Sequence, residues 1–136
     1  MIKKCYAESL GGCDKINKEH YISKCMLSEM VRFVGGGKCP NKEISKGSAS
    51  MRILCTKHNG QLSNYDNEAG ELLKAMNYVY EYHKLSAIDK QSHVGKTFNI
   101  NGNYIEKWLL KTSINHLFQV KGELDDDSKV YVESCL

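Results

Sequence analysis

Six cysteines and five histidines stand out in a chain of 136 residues, because sulfur and imidazole are the side chains that bind zinc and activate nucleophiles. Cys5 and Cys13 precede a short segment that reads as a strand, and Cys55 and His58 form a Cys-x2-His pair at the end of a second one. Two ligand pairs flanking a predicted hairpin supply the four donors of a closed tetrahedral zinc site. Two intervening residues let Cys55 and His58 point at one ion, whereas the Cys-x7-Cys spacing of the first pair is longer than usual. Cys39, ahead of Pro40, is an alternative ligand, with Cys25 and Cys135 as further ones. The competing reading is a set of buried, unligated thiols. Lys3 and Lys4 are not followed by an apolar leader, and no apolar run approaches the roughly 18 residues of a membrane span. No membrane partner is therefore expected, and the expected compartment is the cytoplasm, where disulfides are rare and metal ligation is the first use of cysteine to test.

These ligands need elements to hold them. Ile16 to Ser23 reads as a strand carrying Glu19 and His20. Met26, Leu27, Met30, Val31 and Val34 recur at helical spacing and are stopped by Gly35-Gly36-Gly37, which predicts a helix between Lys24 and Val34. Gly35 to Ser50 is a basic loop with the only Pro, and Met51 to Thr56 is a second strand. Leu62, Tyr65, Ala69, Leu72, Leu73, Met76, Val79, Tyr80 and His83 trace one stripe of a helix from about Asn64 to Lys84, with Ser63 or Asn64 as its N-cap. Thr97 to Ile100 reads as a short strand, Tyr104 to Phe118 as a helix apolar on most sides, and Lys129 to Glu133 as a final edge strand. With 41% hydrophobic and 26% charged residues the chain has the composition of a globular domain with a core.

Charge is unevenly spread. The first sixty residues hold eleven Lys/Arg against five Asp/Glu, a net of +6, and the remainder holds eight against eleven, a net of −3. A polyanion is expected to meet the front half, through Lys15, Lys18, Lys38, Lys42, Lys46 and Arg52. The acidic rear half and the helix around Trp108 suit a protein partner or a homo-oligomeric contact through the C-terminal part.

Glu19-His20-Tyr21-Ile22-Ser23, a spacer, and then Cys55-Thr56-Lys57-His58-Asn59 resembles the zinc-containing branch of the HNH, or His-Me finger, endonuclease superfamily. The likeness runs from Cys5 to about Asp66, with His58 in the place of a second knuckle cysteine. It implies an α+β protein with a ββα-metal core stapled by a structural zinc, assigned to residues 1–90; the apolar spacing beyond it adds a helical C-terminal extension with a strand, residues 91–136, expected to pack on that core. It further implies a metal-dependent endonuclease acting on DNA, or on RNA, with His20 as general base. Glu19 and Asn59 would hold a catalytic magnesium or manganese ion, with Asp66 as a third ligand and Asn67 or Glu68 as alternatives to it. The chemistry is coherent, since imidazole deprotonates water near neutral pH and a carboxylate with an amide oxygen suits a hard cation. A final histidine common in the superfamily is replaced by Glu68, and a proline often found three residues after the base is replaced by Ser23. The alternative is a zinc-stabilised nucleic-acid-binding or adaptor protein with a degenerate HNH site.

Overall fold

The computed structural model describes residues 4–20, 23 and 50–136. The expected helix between Lys24 and Val34, and the basic loop with Cys39, Lys38, Lys42 and Lys46, lie outside them, as does Cys25. A 3-10 turn, Glu8–Leu10, is followed among the described residues by strands β1 (Ile16–His20) and β2 (Ser50–Cys55), then helices α1 (Thr56–Lys84), α2 (Ala87–Ser92), α3 (Gly102–Lys121) and α4 (Asp126–Cys135). The architecture is mixed α+β, mostly helical, around a small two-stranded sheet.

β1 and β2 pair antiparallel, Ile16 opposite Cys55 and His20 opposite Ser50, with an irregularity between Asn17 and Glu19. Strand alternation is lost there: Ile53, Leu54 and Cys55 are all fully buried in succession. Both faces of this end of β2 are covered, and the Ile53 carbonyl also accepts the backbone N–H of Tyr6 at 3.0 Å. The segment bearing Cys5 is thereby fastened to the strand that leads to Cys55.

α1 starts at Thr56, directly after β2, rather than near Asn64. Its N-cap is Cys55, whose sulfur accepts the His58 N–H at 3.5 Å. Cysteine is not among the residues that commonly cap helices, so this start carried no sequence signal. The predicted stripe is split by burial. His58, Leu62, Tyr65 and Ala69 are buried, but Met76, Val79 and Tyr80 are each about half exposed.

Thr97 to Ile100 is not a strand. This irregular segment folds back along α1, with Phe98 against Tyr78 at 5.6 Å between ring centroids and the Asn101 N–H donating to the Glu68 carboxylate at 2.5 Å. Nor is Lys129 to Glu133 an edge strand, because it lies within α4. Asp125 caps α4 through the Ser128 N–H at 2.9 Å, and Ser128, Val132 and Cys135 form its buried face at helical spacing. A five-residue apolar alternation is too short to separate strand from helix, and the cap decides. One cluster of buried side chains joins Ile53, Leu54 and Leu62 to Trp108, Ile114, Phe118 and Val132. Among the described residues no helix is long and apolar enough to cross a membrane.

Candidate functional site

Cys5, Cys13, Cys55 and His58 come together, with their donor atoms all within 4.8 Å of one another. His58 Nδ1 lies 3.4 Å from Cys5 Sγ, 3.6 Å from Cys13 Sγ and 3.2 Å from Cys55 Sγ. One ring nitrogen has a single proton or a single lone pair, so it cannot hydrogen-bond three sulfurs at once. Tetrahedral zinc with bonds of about 2.3 Å to sulfur and about 2.0 Å to nitrogen places neighbouring sulfur and nitrogen ligands about 3.5 Å apart. The cluster therefore has the donor set and the spacing of a Cys3His zinc site.

The long spacing between Cys5 and Cys13 is taken up by the 3-10 turn and by Gly11 and Gly12, at φ of 73° and 68°. Glycine enters that region without the strain a Cβ would add; the space at Gly12 is bounded only by the flexible tip of Lys57. The returning chain is tied to the start of α1. Asp14 accepts the Lys57 N–H at 3.0 Å, and the Lys15 carbonyl accepts the Thr56 N–H at 2.9 Å. Burial pushes the Cys5 thiol up, and desolvation together with the Cys5 and Cys55 sulfurs pushes Cys13 up to about 12. Cys55 is itself penalised by desolvation, yet the N–H groups of His58 and Asp14 hold it below the ordinary thiol value. A bound dication reverses this logic by deprotonating its thiol ligands outright. Cys135 is no part of the cluster: it sits in α4, with its sulfur 3.9 Å from the Lys107 carbonyl oxygen.

A second polar group lies toward the other end of β1. Glu19 is only 7% exposed, and its Oε1 is 2.8 Å from Lys111 Nζ. The same ammonium is 2.5 Å from Asp66 Oδ2. Lys111, on α3, is 1% exposed. Trp108 Nε1 donates to Ser23 Oγ at 2.7 Å, and Ser23 donates in turn to Asp66 Oδ1 at 2.5 Å. Asn115 Nδ2 donates to the His20 carbonyl at 3.4 Å, while its buried Oδ1 has no partner among the described residues. Burial pushes the Glu19 carboxyl above its usual range against the pull of Lys111. Burial also opposes the charge on Lys111, but Glu19 and Asp66 outweigh it and raise the ammonium above its ordinary value.

Of the expected divalent-metal ligands, Glu19 and Asp66 converge. Asn59 stands apart, half-buried in the first turn of α1 beside His58. Seven residues of helix separate it from Asp66 by about 10 Å along the axis, too far for one ion to take both. His20 ends β1, half-buried. Lys15, Lys18 and Arg52 are exposed on and beside the hairpin.

Lys111 and Asn115 escaped the sequence reading. Their signal was present: they share with Trp108 and Phe118 the buried face of α3, and a lysine on an apolar face is almost never buried without a charged partner. The carboxylate pair has the chemistry for a hard cation, with the Lys111 ammonium now lying between its two members. Comparison of the chain with protein-family models, with curated proteins and with solved structures finds no match.

Proposed function

We propose that this protein is an HNH-type phosphodiester hydrolase acting on DNA, in which a Cys3His zinc site fastens a strand–strand–helix unit and His20 is the general base. One observation above all supports this reading: the four sulfur and imidazole ligands meet where β2 passes into α1, and the Glu19-His20 pair ends the strand that β2 pairs with. Such a staple would fix the strand ends without entering the chemistry.

In this reading the half-buried His20 imidazole takes a proton from the attacking water. The Asn115 amide, bonded to the His20 carbonyl, positions the backbone of the base. Lys15, Lys18 and Arg52 are exposed and bind phosphates. Glu19 and Asp66 are the residues that would hold a magnesium or manganese ion, which when bound stabilises charge on the scissile phosphate.

A second reading, a zinc-stabilised nucleic-acid-binding or adaptor protein, is favoured by the Lys111 ammonium, which already neutralises that carboxylate pair. Plasmid cleavage by wild type and His20→Ala, with zinc content and DNA affinity measured alongside, separates the two. Hydrolase action requires a loss of about 10²-fold or more in rate with zinc and binding intact. Binding without cleavage by either protein, over magnesium and manganese and several DNA forms, would select the second reading.

A further inference from the structure

We propose that Lys111 is a tethered counter-ion that fills the cation position between Glu19 and Asp66 and must be displaced before a divalent metal can enter, so that α3 holds the site closed to metal. The inference rests on reading Glu19 and Asp66 as metal-binding carboxylates. It concerns what controls them.

The ammonium sits where both carboxylates converge, 2.8 Å from one and 2.5 Å from the other. A hard divalent ion bound by the same oxygens would have to lie within about 2.0–2.6 Å of each, which puts it against the ammonium. Two cations so close in a poorly hydrated site repel strongly, and only one can stay. Lys111 is also held from both sides along its helix. One turn before it, Trp108 donates to Ser23, which donates to Asp66, and one turn after it Asn115 reaches the His20 carbonyl. Withdrawing Lys111 therefore disturbs contacts that lead to the single tryptophan and to the backbone of the proposed base. What it leaves behind attracts cations: the buried Glu19 carboxylate and the partly exposed Asp66 carboxylate both pair with the one ammonium, and Asn115, which reaches the His20 carbonyl, has a buried Oδ1 with no partner among the described residues.

The test measures Mn2+ binding to the zinc-loaded protein by calorimetry, comparing wild type with Lys111→Met and with Lys111→Gln, which keeps a polar head should the methionine variant not fold. Removing the ammonium should tighten Mn2+ binding by about tenfold or more, and adding Glu19→Gln should abolish the gain. In wild type, acylation of Lys111 by an amine-reactive reagent, read by mass spectrometry, should be slow and should accelerate as Mn2+ binds. Equal Mn2+ affinity in wild type and a folded Lys111 variant would overturn the inference, as would Mn2+ binding at Glu19 that leaves Lys111 protected. Cleavage assays on the same proteins keep the two ideas apart. A Lys111 variant that gains metal and cuts no DNA would leave the tethered ion standing and remove the hydrolase reading. Wild type that cuts DNA while the variant gains no affinity would do the reverse.

Discussion

Lys111 carries a full charge into the core, and its energetics follow from that. Removing one partner of a buried ion cluster typically costs about 3–5 kcal/mol because it leaves charge uncompensated. Lys111→Met should lose stability on that scale in denaturant unfolding, and adding Glu19→Gln should recover part of the loss. Additive losses in the double variant would contradict the coupling. At the other cluster, Cys13→Ser should abolish stoichiometric zinc although Cys13 is exposed, and metal analysis of the purified variant checks this. Cys135→Ser should leave zinc unchanged. The Cys3His cluster was legible in the sequence because its members are recognisable by residue type and by their place on either side of a predicted hairpin. The Lys111 cluster was not, because its members come from β1, α1 and α3, and only tertiary packing brings them together.

At the scale of elements, α1 is one helix with two environments. Leu62→Ala empties a site 1% exposed in the core and should cost about 2–5 kcal/mol. Met76→Ala, on the same stripe but 54% exposed, should change stability by less than about 0.5 kcal/mol, and equal losses would mean that the outer half is covered in solution. The stripe was readable as periodicity, yet periodicity does not say which part of a face meets the core. Helix starts and ends were harder to read for a local reason. Cys55 caps α1 with a sulfur, and Asp125 caps α4 ahead of a segment whose alternation resembled a strand. Acid should loosen the second cap. Hydrogen bonds from Ser128, with Lys121 beside it, hold the Asp125 carboxyl down at about 2, below the unfolded value of about 3.9. Its contribution is therefore present above pH 4 or so and lost as pH falls toward 2, which an NMR titration of Asp125 would follow.

Across the whole molecule, basic residues are concentrated in the front half, and among the described residues one cluster of buried side chains joins the front half to the rear. If the exposed face of the hairpin binds phosphates, replacing Lys15, Lys18 and Arg52 with Ala should weaken DNA binding and flatten its salt dependence, since fewer counterions are released. Unchanged affinity and slope would place the contact elsewhere. The rear half contributes Trp108, Ile114 and Phe118 to the core and leaves Val120, Val130 and Tyr131 exposed. These exposed apolar side chains are scattered through α3 and α4. A zinc ion held by Cys5, Cys13, Cys55 and His58 would fasten the N-terminal segment to the start of α1 at one point. Structural zinc contributes on the order of 10 kcal/mol or more to small domains at neutral pH, comparable to the whole stability of a domain. X-ray absorption at the zinc edge, on protein purified with its metal quantified, tests this most directly. About one zinc per chain, with three sulfurs near about 2.3 Å and one nitrogen near about 2.0 Å, is the expected result; protein that folds without zinc, or a shell of four sulfurs, would contradict it.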